Sequence, residues 1–210
     1  MQIASLGVAG VAVAGLLSGC GGSDSDSAGQ VSATPPSPPP AAAPPEQPAP
    51  GAGAGNAQVT APGTSLKIGQ RAVVPLKRAS TTGTLGITVT AIEPGDQAAF
   101  TQQFGSRGQG MTPYYIRYTV TNVGGTDLSR TTAPLLNAVG PNGGSTGATV
   151  IFTGALPGCE RGRPDASFAS AGATYQHCRL QVARQGVPVT GAEYDDREGG
   201  YNDGPLVWTR

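Results

Sequence analysis

The chain reads as all-β, a sandwich or barrel of short antiparallel strands. Three observations predict it. From Ser65 onward short β-branched runs recur, clusters of Gly, Pro, Asn and Asp separate them, and no long stretch carries a helical period. Two runs alternate cleanly, apolar side chains on one face and threonines on the other, which suits a sheet with one buried and one wet face.

In chain order, the first run is Leu66 to Val74. Pro75 behind it marks an edge, because proline has no N–H to give a ladder. Leu85 to Ile92 comes next, with Leu85, Ile87 and Val89 together on one face. Tyr114 to Thr121 is the clearest strand: Tyr114, Ile116, Tyr118 and Val120 point in, and Arg117, Thr119 and Thr121 point out. The remaining candidates are Leu135 to Val139, Ala148 to Thr153, Tyr175 to Ala183, Val187 to Tyr194 and Pro205 to Thr209. Pro188 again argues for an edge. Pro141-Asn142-Gly143-Gly144 supplies the positive φ angles of a tight hairpin.

These runs resemble a known family. Leu66-Lys67-Ile68-Gly69-Gln70, Ile87-Thr88-Val89-Thr90, Tyr115 through Gly124 and Val139-Gly140-Pro141-Asn142-Gly143 are similar to the strand pattern of bacterial lipoproteins with immunoglobulin-like domains. That family is similar in fold to a mycobacterial immunoprotective extracellular antigen. The resemblance covers roughly Ser65 to Arg210 and implies an immunoglobulin-like antiparallel β-sandwich of about seven to nine strands, without assigned enzymatic activity.

The N-terminal third has a different character. Ile3 to Leu17 is an uncharged apolar run with the length of a signal segment, too short to span a bilayer comfortably. Leu17-Ser18-Gly19-Cys20 resembles the lipobox of bacterial lipoproteins. The expectation is therefore a signal peptide over residues 1–19, cleavage before Cys20, and membrane attachment through lipid on that cysteine, outside the cytoplasmic membrane. Met1 to Leu6 lacks the usual Lys or Arg, which points to a start upstream of Met1. Gly21 to Thr64 is Gly, Ser, Ala and Pro with little else, so residues 20–64 are expected to be a disordered tether. About 44 such residues reach between ~40 and ~140 Å. Residues 65–210 are then the folded domain, long enough for its own core.

With Cys20 assigned to lipid, Cys159 and Cys178 form an even pair in an oxidising compartment, and a disulfide is expected. It would pin the glycine- and arginine-rich stretch from Gly158 to Gly172. The single histidine, His177, neighbours Cys178. In an extended strand Cys178, Leu180 and Val182 turn inward while His177 and Arg179 project the other way, so His177 is expected on the surface and in no catalytic dyad. No serine nucleophile lies in a Gly-x-Ser-x-Gly turn.

All thirteen Lys and Arg residues follow Ser65, against ten acidic ones, so the domain carries a surplus of three positive charges. Anionic wall polymer or lipid head groups are conceivable partners; nucleic acid is not expected outside a cell. Glu193, Asp195, Asp196, Glu198 and Asp203 gather near the C-terminus and raise a calcium alternative, although their spacing fits no EF-hand. Between two well-patterned strands, Glu93 to Pro113 is either a short helix with Phe100 and Phe104 packing down or a recognition loop that also presents Arg107.

Together these features predict a lipid-anchored envelope protein whose sandwich binds rather than catalyses, with no cofactor or metal. An envelope protein or cell-wall polymer is the expected partner. Candidate binding residues are Phe100, Phe104, Arg107, Asp195, Asp196, Glu198 and Asp203. The alternatives are a small-ligand or calcium carrier and, more remotely, an envelope hydrolase, which would need a carboxylate pair in a cleft.

Overall fold

The computed structural model describes residues 57–210. The expected signal peptide, Cys20 and the expected tether up to Asn56 lie outside the described residues. Among those described there are eight strands in two four-stranded sheets, packed as a β-sandwich. No helix among them is long and apolar enough to cross a membrane.

The strands are β1 (Ser65–Lys67), β2 (Arg71–Arg78), β3 (Thr81–Pro94), β4 (Met111–Asn122), β5 (Asn137–Val139), β6 (Thr174–Arg184), β7 (Gly191–Tyr194) and β8 (Leu206–Thr209). One sheet runs β1-β8-β7-β5 and the other β2-β3-β4-β6. All neighbours are antiparallel except β1 and β8. Packing against the sandwich begins before Ser65: Thr60 donates its N–H to Val73 O at 2.8 Å, and Tyr201 Oη donates to Thr60 O at 2.7 Å.

The main core lies between the sheets. Val74, Ile87, Ile116 and Tyr118 from one sheet meet Tyr194, Leu206 and Trp208 from the other. The strand period explains Leu85, Ile87 and Val89, and a bulge between Val89 and Ala91 then shifts the register so that Ile92 also faces inward. A second, smaller cluster covers the outer face of the β4–β6 end. Phe100, Tyr115, Leu156, Cys159, Cys178 and Val182 form it. On the outer face of β4 Tyr115 is covered by this cluster, against the expectation of a wet face, whereas Arg117, Thr119 and Thr121 on the same face stay partly exposed, as expected.

Several expected strands are shorter or absent. Leu66 to Val74 divides at Gly69, whose φ of +90° breaks the extended path and sends β1 and β2 into different sheets. Pro75 sits inside β2, which is an edge strand, as its missing N–H requires. Ala148 to Thr153 is no strand. Its β-branched residues lie outside both ladders, and the neighbouring free edge of β6 already uses Cys178 N–H on Glu160 O and Arg184 N–H on Thr146 O. The run from Val187 to Tyr194 turns a corner first, with Gly186 at φ +84°, so β7 begins only at Gly191 and Pro188 falls outside it. Asn142 and Gly143 do take positive φ, 56° and 76°, and Gly144 N–H closes the turn on Pro141 O at 3.0 Å, but no strand follows it.

Trp208 is fully buried and donates its indole N–H to Gln70 O at 2.9 Å, joining the last strand to the β1–β2 turn. Trp208→Ala should lower unfolding free energy by about 3–5 kcal/mol, read as a shift of the urea midpoint.

Candidate functional site

The expected binding residues do not converge. Glu93 to Pro113 is a short helix, α1 (Gln97–Phe104), followed by a 3-10 turn over Gly105–Gly108. Asp96 caps it, its carboxylate accepting Ala99 N–H at 2.9 Å. Phe100 is fully buried, and Phe104 packs on it with ring centroids 4.6 Å apart and against Phe152 at 5.2 Å. Both rings therefore build the second core cluster; Arg107 stays exposed on the following turn.

The acidic residues are occupied elsewhere. Asp196 pairs with Arg78 at 2.6 Å and Glu198 with the same guanidinium at 3.1 Å. Asp196 also accepts Gly199 N–H at 2.7 Å. Asp195 and Asp203 are exposed, within hydrogen-bond reach of Asn137 (3.3 Å) and Asn202 (2.8 Å) respectively. Burial, with Asp195 nearby, raises the Glu193 carboxyl above the usual carboxylate range. Among the described residues, no three His, Cys, Asp or Glu side chains gather as a metal cage.

A different region comes together instead. Cys159 and Cys178 form the disulfide, joining an irregular segment to β6 across 19 positions. Beyond it Gly162 lies so close to the strand that a Cβ there would stand 1.7 Å from Gln176 O, so only glycine fits. His177 Nδ1 meets Gly162 O at 2.7 Å. His177 is 7% exposed, which corrects the expectation of a surface residue. The alternation along β6 is as expected, but its sides are exchanged. Opposite Tyr118 in the ladder, His177 takes the inter-sheet face, while Cys178 and Val182 face the second cluster.

The segment held on β6 carries Arg161 and Arg163. With Ser129 to Leu135 on the other wall and His177 at its base, it bounds a groove of about 700 Å³ on the side where β6 outflanks the short β5. Arg130, Arg161 and Arg163 line this groove, and no carboxylate does. Leu135 and Arg161 also border an adjoining groove of about 300 Å³, lined by Val150, Ile151, Phe152 and Leu180 and by Arg179.

The far wall is positioned by buried Asn122. Its amide donates to Thr126 O and Phe168 O, both at 2.7 Å, and its carbonyl accepts Gly125 N–H at 2.9 Å. Tyr118 Oη donates to Pro134 O from within the core. The ion pairs among the described residues involve Arg78 and Arg117 only. Arg130 and Arg179 make no ion pair, and Asp127, three positions before Arg130, is turned onto Ser129. Arg179 Nε is buried without a hydrogen-bond partner, and burial, with Arg161 beside it, lowers that guanidinium's pKa.

The three arginines of the larger groove offer planar, permanently charged donors matched to phosphate or carboxylate oxygens. Sequence reasoning noticed the arginine-rich stretch inside the cystine loop but did not name Arg161 or Arg163 as binding residues. Arg130 and Arg179 carry no such local signal. No protein-family model matches the chain, and neither a curated protein nor a solved structure matches it.

Two outcomes are expected. Replacing both Cys159 and Cys178 by serine should cost about 3 kcal/mol, the loop-closure value for a ring of this size, measured by urea unfolding. Burial chiefly, with Arg161 and Arg179 adding repulsion, holds His177 below its ordinary 6.5, against the opposing bond to Gly162. The unfolded chain therefore takes up this proton first as pH falls. His177's contribution should be complete above pH 6.5 and decline below it, and His177→Asn should flatten that slope in urea midpoints across the range.

Proposed function

We propose that this chain is a lipid-anchored protein of the cell envelope whose β-sandwich binds an anionic envelope component and performs no chemistry on it. The observation that carries the reading is the groove lined by Arg130, Arg161 and Arg163 without a carboxylate. Arginine stays protonated throughout the physiological range, so it recognises and holds anions but supplies neither a base nor a nucleophile. The Leu17-Ser18-Gly19-Cys20 quartet supports attachment, and the Pro/Ala/Gly tract supports reach from the membrane.

The calcium-carrier alternative draws less support, because Asp196 and Glu198 already neutralise Arg78. A hydrolase built on Asp195 and Asp196 draws less still: the two carboxylates engage different partners, Asn137 and Arg78.

Two measurements test the proposal. In cells fed an alkyne-bearing fatty acid, the native chain should become labelled and Cys20→Ala should not; equal labelling of both would overturn the anchor. The full chain should retain acidic envelope polymers or lipids at low salt and release them at moderate salt, and Arg161→Glu with Arg163→Glu should abolish retention. Unchanged retention by that variant would remove the groove from the reading.

A further inference from the structure

The two adjoining grooves differ in chemistry, and that difference narrows the ligand. The larger one presents Arg130, Arg161 and Arg163. The smaller one presents Val150, Ile151, Phe152 and Leu180. Leu135 and Arg161 border both, so the basic and apolar surfaces are continuous.

Exposure on this side is unusual. Among the described residues only Val59, Leu135 and Ile151 are large hydrophobics classed as exposed, and two of those three border this surface. Ile151 is 93% exposed and Leu135 54%. An isolated exposed leucine or isoleucine needs no explanation, but a pair flanking an apolar recess beside arginines that make no ion pair marks a binding surface, Arg161 donating to Thr153 O at 2.6 Å on the recess wall.

Arg179 lines the smaller groove, on the strand that also carries His177 of the larger one. Its Nε is the one buried side-chain polar atom without a hydrogen-bond partner among the described residues, and its side chain borders the apolar recess.

We propose that the paired grooves bind an amphiphile with a phosphate head and an acyl tail: the phosphate lies among Arg130, Arg161 and Arg163, and the tail runs past Leu135 into the recess beneath Ile151. A phosphate is favoured over a single carboxylate because three arginines match a doubly charged, three-oxygen head and would be left partly unpaired by a single negative charge. A polymeric polyanion would use the arginines but would gain nothing from Ile151 and Leu135. This inference rests on the anion-binding reading of the groove given above and specifies its ligand.

The test uses the full lipidated chain in nanodiscs of zwitterionic lipid and a lysophosphatidic acid carrying a photoreactive acyl tail. Saturable cross-links should map to residues 149–156, unlabelled lysophosphatidic acid should compete, and glycerol 3-phosphate should compete at least about tenfold less well. Arg161→Gln with Arg163→Gln should cut labelling about tenfold. Ile151→Asp should cut it too while leaving salt-sensitive retention of inorganic polyphosphate intact, which separates loss of the tail site from a failure to fold.

Equal labelling by a phosphocholine-headed probe, whose phosphate is a singly charged diester, or by an oleate probe would overturn the doubly charged phosphomonoester head. Equal competition by glycerol 3-phosphate, or cross-links only outside residues 149–156, would overturn the tail site; with polyphosphate still retained, anion binding itself would stand. Absence of both labelling and polyphosphate retention would overturn the two readings together.

Discussion

The structure depends on strand β4, covered by the inter-sheet core on one face and by the second cluster at Tyr115 on the other. Ile116, Tyr118 and Val120 enter the inter-sheet core, while Tyr115 on the other side holds the second cluster. Such a strand must be central, and it pairs with β3 on one side and with β6 along eleven positions on the other. That pairing sets the register of β6, and the register decides which side chains of β6 meet which layer. His177 lies opposite Tyr118 and Cys178 opposite Arg117 because of it.

The disulfide converts this register into a surface. Cys178 faces the outer layer, so the partner cysteine must approach from there, and the chain leaving Cys159 then crosses the free edge of β6. Gly162 permits that crossing at a separation no side chain would allow. Arg161 and Arg163 flank it and emerge beside the gap left by β5, which is only three residues long. Mismatch in length between two edge strands thus leaves the groove open, and a covalent bond keeps its basic wall in place.

Charge in this domain is partitioned rather than merely surplus. Arg78 and Arg117 are neutralised by Asp196, Glu198 and Glu93, whereas the groove arginines keep no partner within ion-pair distance. Clustered unpaired guanidinium groups repel one another, and burial of Arg179 adds desolvation to that repulsion. The folded core tolerates this concentration of positive charge; an anion in the groove would relieve it, which makes binding and local electrostatic relaxation the same event.

The strand periods of Leu85–Val89 and Tyr114–Val120 and the Asn142-Gly143 turn were legible from local pattern, since each depends on neighbours in the chain, and the cysteine pair was legible from cysteine count once Cys20 is set aside. A bulge at Val89/Ala91, the sheet switch at Gly69 and the failure of Ala148–Thr153 to become a strand were not, because each depends on which ladder offers a partner. Alternation along β6 correctly separated His177 from Cys178, yet alternation cannot say which side is the interior when both faces are covered. The groove was less legible still: Arg130 and Arg161 are separated by a turn, a loop and the cystine, and Arg179 belongs to another element. By itself the sequence determined that the domain is β, cross-linked and mildly basic, since composition and period decide these. Only the tertiary structure decided that the unpaired arginines share one concave surface beside exposed Leu135 and Ile151, because that juxtaposition arises from strand register and edge length, which no local pattern encodes.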